Sequence, residues 1–182
     1  GSFEFADPLL GWGKIERPGA VGGIGYPSEA PPFPNNPRYA RVTVEKPGEG
    51  FGLGNGGYRG MPFRAGARYR FSAWVRRKAG PAAELRIELL GEKDLVLARA
   101  SVQAASADWT RVEAELVPAG SVAKGSVRLL VFEAGLLDLE AVSLMPVDTW
   151  KGRANGLRPD LVQALADLRP GFVRFPGGCI VE

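Results

Sequence analysis

Between residues 38 and 146 apolar and polar side chains alternate in short runs separated by turn residues: YARVTVE, GYRGMPF, RYRFSAWVRR, AELRIELLG, DLVLARA, DWTRVEAEL, GSVRLLVFEAG and LLDLEAVSLMP. A period of two places successive side chains on opposite faces of a strand, so each run predicts a strand with one core face. In RYRFSAWVRR, Tyr69, Phe71, Ala73 and Val75 share the apolar face, with Arg70, Ser72, Trp74 and Arg76 on the other. Leu85, Ile87 and Leu89 point inward in the same way against Glu84, Arg86 and Glu88, as do Val112, Ala114 and Leu116 against Arg111, Glu113 and Glu115. Many short strands with no helix between them predict an all-β jelly-roll β-sandwich over residues 1–147.

After Pro146 the period changes. Pro159 suits a first helical position, Leu161, Leu165 and Leu168 fall on one face, and Pro170 ends the run, which predicts a helix over about 159–169. A strand over 172–175 and a Pro-Gly-Gly turn follow. Helix, strand and glycine-rich turn form the repeating step of an α/β architecture, so residues 148–182 are expected to be a helix-strand fragment of an α/β barrel cut from something larger. Two stretches read as loops: the Pro- and Gly-rich residues 7–37, and GFGLGNGG at 50–57. The latter holds a formal G-x-G-x-x-G at Gly52, Gly54 and Gly57. A dinucleotide site requires a helix next, and GYRGMPF reads as a strand.

Composition narrows the chemistry. The chain has 182 residues, no histidine and one cysteine, Cys179. That excludes Ser-His-Asp and Cys-His catalysis, histidine- or cysteine-rich zinc sites and an internal disulfide. Mean hydropathy is −0.07 and no apolar run approaches the ~20 residues of a membrane-spanning helix. The net charge of +3 is scattered, and the longest basic run, Arg76-Arg77-Lys78, reads as a solvated strand end. Neither nucleic acid nor membrane is an expected partner.

Trp74 is the leading binding candidate. On the polar face with Arg70, Ser72 and Arg76, its indole would stack on the C–H side of a sugar while its neighbours take hydroxyls. Tyr58 and Trp12 are secondary members of that surface. The competing reading puts Trp74 under the Pro-rich loop. Trp109, opening its strand, reads as structural. Glu4 and Glu140, near the two ends of the sandwich sequence, are candidates for a structural Ca²⁺ site with backbone carbonyls, against ordinary surface ion pairing. No other cofactor is implied. In RFPGGC, Cys179 is expected at a strand end where barrel enzymes bind substrates, or else as a buried space-filling thiol.

The segment DTWKGRANGLRPDLVQALADLRPGFVRFPGGCIVE resembles the α-L-arabinofuranosidase family of retaining, (β/α)8-barrel glycoside hydrolases. GSFEFADPLLGW, NGGY, YRFSAWVR and LDLEAVSLMP resemble the carbohydrate-binding-module type of jelly roll inserted after the first barrel strand of such enzymes. The resemblance implies that Arg174 to Cys179 end the next barrel strand, and that Gly178 and Cys179 contact arabinose. It also implies that both catalytic glutamates lie beyond Glu182, so this chain alone hydrolyses nothing, and that its partners are arabinose-containing polysaccharide and the rest of the barrel. For the parent a secreted or periplasmic location is favoured. Two roles remain open for the sandwich: a noncatalytic carbohydrate-binding domain, or a structural insert with no sugar ligand.

Overall fold

A computed structural model describes residues 3–172 and divides the chain into two compact units, Gly1–Met145 and Pro146–Glu182. Its strands are β1 (Trp12–Glu16), β2 (Val21–Gly25), β3 (Ala40–Lys46), β4 (Phe51–Asn55), β5 (Met61–Phe63), β6 (Tyr69–Ala79), β7 (Ala83–Leu90), β8 (Val96–Ala104), β9 (Thr110–Leu116), β10 (Val122–Val131) and β11 (Gly135–Pro146). They form two sheets. The first runs β1-β4-β10-β7-β8, with β5 added to β10, and the second runs β2-β3-β11-β6-β9. The fold is an all-β sandwich.

The predicted alternation builds the core. Phe71, Ala73 and Val75 of β6 are buried, as are Leu85, Ile87 and Leu89 of β7, Leu137 and Leu139 of β11, and Leu129 and Val131 of β10. Each large aliphatic side chain so buried is worth roughly 1.5–3 kcal/mol. A one-residue slip would turn the whole row to solvent, so burial also sets the register. On β9, at the sheet edge, Val112 and Ala114 are only half-buried while Leu116 is fully buried.

Three strands stand where loops were expected. β1 and β2 fall inside the 7–37 stretch, and β4 is the glycine-rich run at 50–57. Glycine weakens a strand's own preference, but here tertiary crowding decides. A Cβ on Gly52 would lie 2.0 Å from the Leu129 carbonyl oxygen of the neighbouring β10, and one on Gly22 would lie 2.2 Å from the Thr43 carbonyl oxygen of β3. These positions accept glycine because the adjacent backbone leaves no room for anything larger. In GYRGMPF only Met61–Phe63 is strand, the glycines before it forming a turn.

In the second unit a 3₁₀ turn, Trp150–Gly152, precedes the helix α1 (Pro159–Asp167), which opens on its proline. Leu161 and Leu165 on this helix, with Leu157 and Leu168 at its flanks, are exposed. Of the strand expected at 172–175 only Phe172 is described, outside any strand, and Arg174 to Cys179 lie outside the described residues.

Gly52→Val should destabilise the sandwich by about 3 kcal/mol or more, because backbone must move to admit the side chain. Gly23→Ala, whose Cβ meets nothing within 4 Å, should stay within about 1 kcal/mol of the parent. Urea denaturation midpoints measure both, and equal midpoints for the two variants would show that close approach does not select glycine in β4.

Candidate functional site

The outward face of the second sheet carries the residues singled out by the sequence, and a loop crosses it. In β3 and β11, Arg41 lies directly opposite Asp138. β6, next to β11, adds Arg76. The Asp138 carboxylate is completely buried and accepts hydrogen bonds from Arg41 Nε (2.7 Å) and Nη2 (3.0 Å) and from Arg76 Nε (3.0 Å) and Nη2 (2.8 Å). Arg41 and Arg76 also donate to the Tyr39 hydroxyl, at 3.2 and 3.0 Å.

What shuts out water is the chain between β2 and β3. The Ala30 carbonyl accepts from Arg76 Nη1 (3.1 Å) and from the Trp109 indole (2.9 Å), while the Tyr39 hydroxyl donates to the Glu29 carbonyl (3.0 Å). Ala30 itself has φ of +48°, a left-handed conformation held by the two bonds to its carbonyl. The Arg76 guanidinium lies over the Trp109 ring, 4.6 Å from its centroid. Burial and the Asp138 charge raise the Tyr39 phenol above its ordinary range, with the two guanidiniums opposing. Hydrogen bonding to Asp138 raises the Arg41 guanidinium further still.

The reading of Arg76-Arg77-Lys78 as a solvated strand end is therefore corrected. Arg76 and Arg77 are both buried and only Lys78 is exposed. Arg77 donates to the carbonyls of Pro81 and Ala134, both at 2.7 Å, and burial lowers its pKa. Alternation alone could not reveal a covered outer face.

Trp74 is half-buried, its ring edge-on to Phe33 of the same loop (5.5 Å, 83°). Arg70 is exposed, opposite Glu115 of β9. Tyr58 is 96% exposed on the turn between β4 and β5, with the Arg59 guanidinium 5.6 Å from its ring centre. The structure does not gather Trp74, Arg70, Arg76 and Tyr58 into one open platform. Gly178 and Cys179 lie outside the described residues.

Glu4 and Glu140 do come near each other. Glu4 accepts the Arg38 amide at 2.7 Å. Glu140 is fully buried, and neither carboxylate oxygen has a hydrogen-bond partner among the described residues. Burial pushes its pKa up to about 7, the negative charge of Glu4 adds to the rise, and the Ala141 amide offsets only part of it. Ala141, with φ of +51°, interrupts the alternation of β11 directly after this carboxylate.

Beside Glu140 lies a pocket of about 690 Å³, bordered by Trp12, Phe33, Asn36, Asn55, Met61 and the 140–145 stretch of β11. Of these Trp12 and Glu140 were singled out from sequence, Trp12 as a secondary member of a different surface and Glu140 as a candidate cation ligand. The other signal was APPFPNNP itself: a loop so rich in proline that carries an aromatic and two amides.

Similarity to known proteins bears on this geometry. The chain is 40% identical over 138 residues to an extracellular exo-α-L-arabinofuranosidase of Streptomyces chartreusis and 35% identical over 140 residues to α-L-arabinofuranosidase 1 of Arabidopsis thaliana. A solved arabinose-bound α-L-arabinofuranosidase, MgGH51, superposes over 96% of the chain with a TM-score of 0.83 and 27% identity. The chain is related to the α-L-arabinofuranosidases. No family model matches it. The two enzyme matches cover about three-quarters of this chain but only 16% and 20% of those enzymes, and the superposition covers 29% of the solved chain. The sandwich fold alone is shared with the xylan-binding CBM22-1 domain of Paenibacillus barcinonensis Xyn10C, at TM-score 0.54 and 12% identity over 81% of this chain and 92% of that one.

Asp138→Ala should lower stability by about 3–5 kcal/mol, since it strands buried guanidinium charge under the loop. Chemical denaturation at neutral pH measures this, and a loss below 1 kcal/mol would mean that the pair is solvated.

Glu140 gives the sandwich a pH dependence of defined sign. With an unfolded value near 4.5 and a folded value about 7, its contribution is fully present below pH 4.5 and is lost as pH rises towards and through 7. Without divalent cations, Glu140→Gln should remove that slope and exceed the parent's stability at pH 8 by at most about 3 kcal/mol. Denaturation midpoints between pH 4 and 8 in chelator check it.

Proposed function

We propose that this chain is the noncatalytic carbohydrate-binding part of an α-L-arabinofuranosidase, engaging arabinose-containing hemicellulose or pectin side chains. The single observation that carries this reading is the 40% identity to a named arabinofuranosidase over 138 residues. The superposition on an arabinose-bound relative supports it, as does the likeness in fold to carbohydrate-binding modules. The ion-paired buried acids of the sandwich suit structure and not hydrolysis. Asp138 is sealed by two arginines. Burial pushes the Glu88 carboxyl up, but its bonds to Arg128 and Arg99 outweigh this and hold it low. Retaining hydrolysis needs two carboxyl groups about 5–5.5 Å apart across the bond being cleaved. Asp138 and Glu88 are both buried, so neither reaches a polysaccharide.

The alternative role, a structural insert without sugar ligand, has its own support in the loop laid over Trp74 and Arg76. Affinity electrophoresis in gels containing arabinoxylan or arabinan separates the two. Saturable retardation supports the binding role, and unchanged mobility supports the insert. Incubation with an aryl arabinofuranoside should give no release above a buffer blank, and turnover would overturn the noncatalytic assignment.

A structural Ca²⁺ fits the Glu140 environment. Two buried carboxylate oxygens without a geometric hydrogen-bond partner among the described residues, beside a second carboxylate, suit a hard cation, and backbone carbonyls would have to complete the oxygen set. Such an ion would supply the positive charge that Glu140 lacks. Calcium at about 100 times its dissociation constant should then stabilise the folded chain by about 2.7 kcal/mol, a rise in melting temperature of roughly 5–10 °C. Glu140→Gln should abolish the rise. An equal melting temperature in calcium and in chelator would remove the ion from the account.

A further inference from the structure

Resting on the carbohydrate-binding reading, we propose that the ligand enters the pocket between Trp12 and Phe33, not the Trp74 face, and that the group it takes is a single terminal pentose of a branched polysaccharide. Three observations converge. The pocket, about 690 Å³, lies within the range of small-molecule sites. It is ample for a sugar ring at the end of a chain or branch.

Its lining has the two-sided chemistry of a sugar. Trp12, Phe33 and Met61 supply apolar surface for ring C–H groups. Asn36, Asn55 and Ser143 supply hydrogen-bonding groups for hydroxyls. Asn55 turns its carbonyl oxygen to the Gly57 amide at 2.7 Å, which leaves its NH₂ as the end directed to a ligand. Phe33 is braced from behind by the Trp74 ring at 5.5 Å, so Trp74 acts here as a positioning residue.

Neither outer sheet face offers a chain-long groove instead. The second sheet is crossed by the loop bonded through Ala30 to Arg76 and Trp109. The first carries the ion-paired row Arg128, Glu88 and Arg99, in which one carboxylate already engages both guanidiniums. A pocket beside two sheet faces already occupied by loop or ion pairs favours a chain end or a side branch over a long stretch of polymer.

The test is titration of the whole chain with α-1,5-linked arabinotriose and with arabinoxylan oligosaccharides. Calorimetry gives the affinity, and the Trp12 indole N–H resonance reports contact. Asn36 is exposed at the pocket border, so its replacement should leave the fold intact, as circular dichroism would verify. The expected result is a shifted Trp12 resonance, binding weakened about tenfold by Asn36→Ala, binding abolished by the bulky Asn36→Trp, and binding unchanged by Arg70→Ala on the sheet face. If the parent chain binds and both Asn36 variants bind equally well, the pocket assignment fails while the carbohydrate-binding reading stands. If the parent chain binds neither sugar series, that reading falls and the pocket assignment with it.

Discussion

The loop between β2 and β3 is held by one buried ionic cluster, and the local surface of the sandwich follows from where that loop lies. Asp138 between Arg41 and Arg76 is a carboxylate removed from water. Its desolvation is offset only because four hydrogen bonds from two guanidiniums reach it. The same guanidiniums reach the Tyr39 hydroxyl, and Arg76 reaches the Ala30 carbonyl, so the cluster cannot form unless the loop is in place. Placing the loop in turn sets Phe33 against Trp74 and brings Phe33 and Asn36 to the pocket. An ionic contact on one sheet thereby determines the lining of a cavity some residues away along the loop.

Two acids two residues apart on one strand show how local surroundings set opposite electrostatic outcomes. Asp138 has two arginines. Glu140, next on the same side of β11, has no side-chain hydrogen-bond partner among the described residues, and burial pushes its pKa up to about 7. A buried carboxylate of this kind destabilises the fold when ionised unless a proton or a cation compensates it. The left-handed Ala141 that follows shows where the chain departs from regular strand geometry beside that charge.

The strands with clean alternation were legible in the sequence because burial of one face is a local, period-two signal: β3, β6, β7, β9, β10 and β11 stand where the pattern put them. The glycine strands β2 and β4 were not. Their identity comes from neighbouring carbonyls that exclude a side chain, as at Gly22 and Gly52, and no local period records that. The surroundings of the candidate residues were legible only in part. Aromatic and polar residues on one face of β6 pointed to Trp74, but its cover comes from residues about forty positions upstream. Arg76 illustrates the limit: an arginine at a strand end looks solvated until its partners at positions 30, 39 and 138 are seen together. The closeness of Glu4 and Glu140, inferred from their places at the two ends of the sandwich sequence, appears as an electrostatic coupling, although Glu4 is not on a strand.

A domain that recognises polysaccharide has two geometric options, an open face that tracks a polymer or a closed recess that takes its end or branch. An open face demands aromatic rings free of protein neighbours and hydrogen-bonding groups not already matched. On the second sheet Trp74 is capped by Phe33, Trp109 donates to Ala30, and Arg76 is spent on Asp138. The recess keeps what the face has lost: an indole, a phenyl ring and two amides at its border. The loop that closes one option is the element that builds the other, so the proline-rich segment APPFPNNP governs the choice between them.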